Sequence, residues 1–100
     1  MKKLLVNFNK AFESRVRLGI MSVLMVNESV EFNTLKKLLN LSDGNLASHI
    51  KALGEVSYIT VNKRFVARKP NTTYSASKEG KKAFIAHLKE LENLIRSQSN

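Results

Sequence analysis

Apolar residues recur every three or four positions along much of the chain, which is the repeat of an amphipathic α-helix. The first such stripe predicts a helix over residues 8–26. A second, shorter stripe predicts a helix over residues 34–40, for which Asn33 is a suitable N-cap. Between them, residues 29–32 alternate polar with apolar, enough for a minimal strand or an extended connector.

Two more helical stripes lie further along the chain. One predicts a helix over residues 43–53, with Ser42 as its N-cap and Gly54 as a stop signal just beyond it. The other predicts a helix that Ser77 caps and that continues to about Arg96. The helices therefore make up most of the predicted structure.

The segments 58–62 and 72–76 alternate and are rich in β-branched and aromatic residues, which predicts the two strands of a hairpin. The segment between them, residues 63–71, carries four cations and no acid. Phe65 and Val66 within it are expected to pack on the hairpin's own core rather than to insert between bases.

This order of elements predicts one domain over residues 1–100, mainly α-helical with a small β-hairpin wing, of the winged helix-turn-helix class. Two helices joined by a short turn that contains glycine are typical of the DNA-binding helix-turn-helix motif. In that motif the second helix enters the major groove, and here it is the helix over residues 43–53.

The net charge and the residue types present exclude several classes of function. Seventeen Lys and Arg against eight Asp and Glu give a net charge of +9, which favours a polyanionic partner such as nucleic acid. With no cysteine, two histidines and no Gly-rich phosphate loop, the chain offers no catalytic, metal or cofactor site, and we expect none. No apolar run reaches membrane-spanning length, so we expect a cytoplasmic protein without a membrane partner.

Two stretches, residues 42–53 and 70–80, resemble the small winged-helix transcriptional regulators of the multiple-antibiotic-resistance (MarR) and arsenic-repressor (ArsR) types. The likeness extends over about residues 14–95 and implies a DNA-binding dimer. Two residues depart from the family pattern. Ser57 replaces a usual glycine, and Gly54 stands where a charged residue usually continues the helix, so the resemblance does not fix the angle of the wing to DNA.

The resemblance implies DNA contacts from the third helix and from the wing. The candidate residues are Asn45, Ser48, His49 and Lys51 on the helix and Lys63, Arg64, Arg68 and Lys69 in the wing. Asn suits adenine and Ser suits several base edges, whereas Lys51 suits a phosphate or only complements the helix dipole. His49 reads guanine, meets a phosphate or is merely solvated. The wing cations contact the DNA backbone or the minor groove, or they only protect a hairpin edge.

The last helix carries an apolar seam with steps of four, three and four residues, which is typical of a short coiled coil. We expect a homodimer through this seam and the apolar N-terminus, although the seam alone could also cover the domain's own core. The expected interface residues are Leu4, Leu5, Phe8, Phe84, Leu88, Leu91 and Ile95.

Two other functions compete with duplex DNA binding. A winged helix used as a protein-interaction module accounts for the fold but not for the charge, and an apolar patch beside a neutral third helix would favour it. RNA binding would require an exposed aromatic platform for unstacked bases, which the sequence does not predict.

Overall fold

The computed structural model describes residues 7–98, which form four α-helices and a three-stranded antiparallel sheet. The predicted fold class is confirmed. In chain order the elements are α1 (Arg15–Met25), β1 (Val30–Glu31), α2 (Phe32–Leu39), α3 (Asp43–Glu55), β2 (Ile59–Val66), β3 (Lys69–Ala76) and α4 (Lys78–Gln98).

The first helix is shorter than predicted. Ser14 has an extended backbone and its Oγ accepts a hydrogen bond from the Arg17 amide at 3.3 Å, so it caps α1. A separate 3₁₀ turn, Lys10–Phe12, precedes it and is capped by Asn9. The apolar period runs through this break because Phe12 is buried in the same core as α1.

Helix α2 also starts earlier than predicted. Glu31 is its N-cap and makes no side-chain capping hydrogen bond, so Asn33 lies inside the helix rather than at its start. The reason is that β1 leads directly into the helix without a connecting turn. At the other end Asn40 adopts the left-handed region with φ 54°, a conformation that Asn tolerates better than most residues.

Helix α3 begins as predicted but ends later. Ser42 Oγ accepts a hydrogen bond from the Asn45 amide at 3.2 Å, which confirms the cap. Gly54 lies within the helix, and the stop comes at Ser57, which has φ 63°. Ser57 N donates to Gly54 O and Tyr58 N donates to Leu53 O, both at 3.0 Å, which is the Schellman arrangement that favours glycine at the left-handed position.

The wing is a continuous two-stranded hairpin rather than two short strands joined by a long loop. The sheet order is β1-β3-β2, and β2 pairs with β3 in unbroken register out to Val66 opposite Lys69. Ala67 and Arg68 alone form the turn, with φ values of 52° and 66°. A two-residue turn with positive φ at both positions matches the twist of the strands, so residues predicted as loop become strand.

The core lies where the helices meet the sheet. Its buried apolar members are Phe12, Ile20, Met21, Leu24, Val30, Leu35, Leu46, Ile50, Leu53, Ile59, Tyr74 and Phe84. Leu46, Ile50 and Leu53 of α3 belong to this set, and their burial fixes which side of α3 faces away from the domain.

The start of α4 is tied to the corner between α3 and β2. The Ser77 amide donates to Tyr58 O at 2.9 Å, and the Ser77 hydroxyl donates to Ser57 O at 2.6 Å. The same hydroxyl oxygen accepts from the Gly80 amide at 2.9 Å, which confirms Ser77 as the predicted cap. One serine therefore fixes the last helix to the end of the predicted recognition helix.

Candidate nucleic-acid interface

The outer side of α3 carries a glycine and polar side chains, two of which, Lys51 and Glu55, are charged. Because the core residues fix the inner side, positions 44, 48, 51 and 55, which are four, three and four apart, run along the opposite face. Ser48 and Lys51 are exposed on this face, as the sequence predicted. The exposed methyl group of Ala47 lies beside them and was missed, since alanine carries no polar signal, although a methyl group suits thymine.

Asn45 is exposed on the flank of α3 rather than at the centre of its outer face. It lines a cleft of about 560 Å³ together with Arg15, Val16 and the turn before α3. Arg15 and Asn45 therefore line the same cleft. Arg15 was not predicted from the sequence, because proximity across two helices leaves no local pattern.

His49 faces α1 and already has a partner within the chain. Its Nδ1 lies 3.2 Å from Nη1 of Arg17, whose Nε donates to the Ala11 carbonyl at 2.7 Å. A guanidinium only donates, so Nδ1 accepts and the ring proton is on Nε2. The half-buried His49 thus links α3 to α1, a role that none of the sequence interpretations included.

An ion pair lies at the start of α3. Lys36 Nζ on α2 is 2.8 Å from a carboxylate oxygen of Asp43. Both groups are partly solvated, so the pair contributes little to stability. It does offset the one carboxylate in the first turn of the predicted recognition helix, where an uncompensated negative charge would repel phosphate.

The wing projects from the domain, and residues 61–70 are all exposed. Strand alternation places Lys63 on one face and Lys69 on the other, with Arg68 in the turn. None of these three cations forms an ion pair within residues 7–98.

Arg64, in the third strand pair from the turn, is held differently. Its Nε donates to Oδ1 of Asn71 at 3.2 Å, and Nδ2 of Asn71 donates to Oε2 of Glu31 at 2.9 Å. This chain of hydrogen bonds joins β2, β3 and β1. Of the four predicted wing cations, Arg64 is the one that also braces the sheet.

The expectation that Phe65 and Val66 pack on a core inside the wing is wrong. Phe65 is 77% exposed and Val66 is 48% exposed. The physical reason is that β1 pairs only with Tyr74 and Thr73 of β3, so the outer part of the hairpin has two strands and no covering layer.

The predicted seam of α4 divides between two environments. Phe84 is 8% exposed and packs edge-on against Phe12 at a centroid distance of 5.7 Å, within its own core. Leu88 and Leu91 are 47% and 38% exposed, and Ile95 is also exposed. Ile85, which the sequence interpretation left out, is 50% exposed and adds to the apolar surface.

The N-terminal part of the predicted interface is only partly visible. Phe8 is half-buried, and its ring lies 5.4 Å from the ring of His87 on α4. Leu4 and Leu5 lie outside the described residues. The buried His87 Nδ1 has no hydrogen-bond partner among residues 7–98.

Residues 7–98 contain no group of three or more His, Asp or Glu side chains arranged to hold a metal ion. Nor does this part of the chain contain a helix with the length and apolar character needed to cross a membrane.

These features match a known domain over most of the chain. A family model described as a winged helix DNA-binding domain matches residues 16–95. The chain belongs to this family. The resemblance predicted from the sequence is therefore confirmed for the winged helix DNA-binding domain, and the helix-turn-helix and wing described above are its parts.

The chain is also similar to individual proteins. Over 88 residues the chain is 35% identical to protein MJ0432 of Methanocaldococcus jannaschii, covering 88% of this chain and 96% of that protein. The structure of this chain is similar to that of a transcriptional regulator homologue from Pyrococcus horikoshii, with a TM-score of 0.84 and 27% identity. The match covers 99% of this chain and 96% of the other. YusO of Bacillus subtilis shares the fold alone, with a TM-score of 0.81, 13% identity and coverage of 98% and 69%.

Proposed function

We propose that this winged-helix domain is a sequence-specific double-stranded DNA-binding transcriptional regulator that acts as a cytoplasmic homodimer. The observation that carries the proposal is the set of exposed wing cations, Lys63, Arg68 and Lys69, which form no ion pair among residues 7–98. Cations without a protein partner are available to neutralise phosphates. The net charge of +9 supports the same partner.

In this proposal α3 lies in the major groove and its outer face reads base edges. Ser48 and Ala47 are the central candidates, Asn45 reads from the flank, and Lys51 contacts a phosphate. His49 acts mainly by holding α3 against Arg17, and its Nε2 proton remains available as a donor. The wing lies along the backbone or the adjacent minor groove.

The homodimer rests on the second half of α4. Exposed apolar side chains at Ile85, Leu88 and Leu91 form a surface that water covers poorly in a monomer. One recognition helix reads only a few base pairs, so two half-sites related by a two-fold axis give a small regulator useful specificity. We therefore assign this part of α4 to the dimer, with Ile95 and the N-terminal residues as neighbours.

Selection of bound duplexes from a random pool tests the proposal most directly. The expected result is a palindromic motif with half-sites about one helical turn apart, or a multiple of it. Ser48→Ala should relax preference at particular base pairs at a cost of about 1–3 kcal/mol, while Lys51→Ala should weaken all sequences alike. Duplex binding without any sequence preference would contradict the assignment as a specific regulator.

Sedimentation tests the assembly. Leu88→Lys with Leu91→Lys should give a folded monomer that keeps weak nonspecific binding but loses affinity for the palindrome. Lys89→Ala, a neighbouring change of an exposed residue outside the apolar stripe, is the control and should remain dimeric. A wild-type monomer at micromolar concentration, both free and on DNA, would end the dimer model.

The alternative is a winged helix that binds a protein. The exposed apolar residues of the wing, Phe65 and Val66, are the observation that favours it. If the selection recovers no duplex and wild-type binding to any DNA is undetectable at low salt, the protein-interaction function replaces the proposal.

A further inference from the structure

Phe65 is the most exposed aromatic side chain of the wing, at 77%, and it lies directly opposite Pro70 in the strand register. The two rings share one face of the hairpin with Lys63. They also line a shallow cleft of about 290 Å³, together with Arg64, Asn71 and Thr72. An apolar pair in solvent on a strongly basic element needs a partner with both apolar and anionic surface.

The position of this pair is well fixed. The turn at Ala67 and Arg68 is two residues long, and the register is unbroken on both sides of it. Pro70 has a restricted backbone, and the Arg64 to Asn71 hydrogen bond of 3.2 Å holds the next pair of residues. The Phe65 ring therefore lies at a set distance behind the tip and is presented in advance of any binding.

Charge identifies the partner. Residues 56–78 contain no acidic residue. Lys63 shares the face of the apolar pair, Arg68 lies in the turn, and Arg64 and Lys69 are the strand neighbours of the pair on the opposite face. An acidic protein would satisfy the charges, but duplex DNA offers in addition deoxyribose faces that lie between regularly spaced phosphates. Because the turn at Ala67 and Arg68 projects beyond the Phe65 ring, the tip of the hairpin keeps the ring from entering between base pairs as a wedge would.

We propose that Phe65 and Pro70 pack against the deoxyribose wall of the minor groove while the flanking cations hold the phosphates, which gives the wing a salt-independent share of the affinity. This inference rests on the proposed function. The inference predicts that removing the ring lowers the affinity but leaves the number of counterions released on binding unchanged, because that number depends only on the phosphates that are neutralised.

The test is a fluorescence anisotropy titration of a labelled duplex at several salt concentrations. Phe65→Ala should weaken binding about tenfold at every salt concentration, as expected for loss of much of one aromatic burial, with the slope of log K against log[salt] unchanged. Arg68→Ala should instead reduce that slope by about 0.9. Val66→Ala changes the opposite face of the same strand and is the matched control, with less than about a twofold effect expected.

Two further readouts keep the outcomes separate. Phe65→Leu should recover part of the affinity, since an apolar side chain remains. All four wing variants should melt within a few degrees of wild type. Wild-type affinity in Phe65→Ala, alongside a steep wild-type salt dependence, would overturn the inference and leave the proposed function intact. A reduced salt slope in Phe65→Ala would also overturn it, since the ring would then act by placing cations. Absence of wild-type duplex binding would overturn both.

Discussion

Replacing Gly80 by alanine gives the sharpest test of how α4 is attached to the domain. A Cβ at this position would lie 2.9 Å from the carbonyl carbon of Tyr58 and 3.0 Å from its Cα, and it would overlap the carbonyl oxygen. That oxygen also accepts the Ser77 amide hydrogen bond at 2.9 Å. The clash is with backbone and not with a flexible side chain, so it can be relieved only if α4 moves away from the corner after α3.

The size of the effect follows from four contributions. Alanine favours an α-helix over glycine by about 1 kcal/mol, which would stabilise the variant. Against this, forcing atoms into a packed contact costs about 1–3 kcal/mol, and losing the Ser77 hydrogen bond costs about 1 kcal/mol more. Moving α4 also disturbs the contact between Phe84 and Phe12. We therefore expect a net loss of about 2–3 kcal/mol despite the better helix former.

Thermal melting followed by circular dichroism measures this, and the expected fall in Tm is roughly 10–20 °C for a domain of this size. Gly54→Ala is the matched control, because it lies inside α3 and a Cβ there meets nothing within 4 Å. It should raise stability by up to about 1 kcal/mol through helix propensity. A Gly80→Ala protein that melts at or above the wild-type temperature would refute the packing argument.

Three other substitutions have clear expectations. Ser57→Gly should raise the free energy of unfolding by about 0.5–1 kcal/mol in urea titrations, because Ser57 has φ 63° and glycine adopts that region without strain. Arg17→Ala should lower it by about 1–2 kcal/mol, since the hydrogen bonds to the Ala11 carbonyl and to His49 are lost. Burial raises the pKa of Tyr74 above its ordinary value of 10.0. The folded protein therefore favours the neutral phenol, and this contribution to the free energy of unfolding is fully present below pH 10 and is lost as the pH rises through the higher pKa of the folded state. Tyr74→Phe should lessen this alkaline loss in unfolding measured between pH 9 and 11, and an unchanged pH profile would contradict the assignment.

Local chemistry made much of the fold predictable. Ser42 and Ser77 were identified as caps because a serine before an apolar stripe satisfies free amides, and both make those hydrogen bonds in the structure. Ser14 offered the same chemistry but lay inside a continuous apolar stripe. The stripe continues across the break because the 3₁₀ turn and α1 bury their apolar residues in one core. The spacing of apolar residues depends on burial and does not show where the backbone hydrogen bonds of a helix begin.

The wing was the element least predictable from its residues. Consecutive cations and a proline suggested loop, yet Lys63 and Arg64 lie in β2 and Pro70 lies in β3. The turn itself, Ala67 and Arg68, lacks the glycine or asparagine that marks such turns, so both residues adopt left-handed φ values that the sequence does not announce. The Arg64 contact with Asn71, and through it with Glu31, depends on strand register, which pattern alone leaves open.

The apolar residues of α4 show what a helical period leaves open. Residues 84, 88, 91 and 95 share one helical period, and that period is equally consistent with packing inside a subunit and with packing between subunits. The core ends at His87 in the described part of α4, since Phe84 and His87 are buried whereas Leu88 and Leu91 are exposed. The change occurs within one turn because the rest of the domain no longer covers the helix beyond that point. Phe84 therefore contributes to the stability of the monomer, whereas the dimer proposal depends on the exposed side chains of Ile85, Leu88 and Leu91. Substitutions of the buried and of the exposed residues should therefore separate unfolding from dissociation.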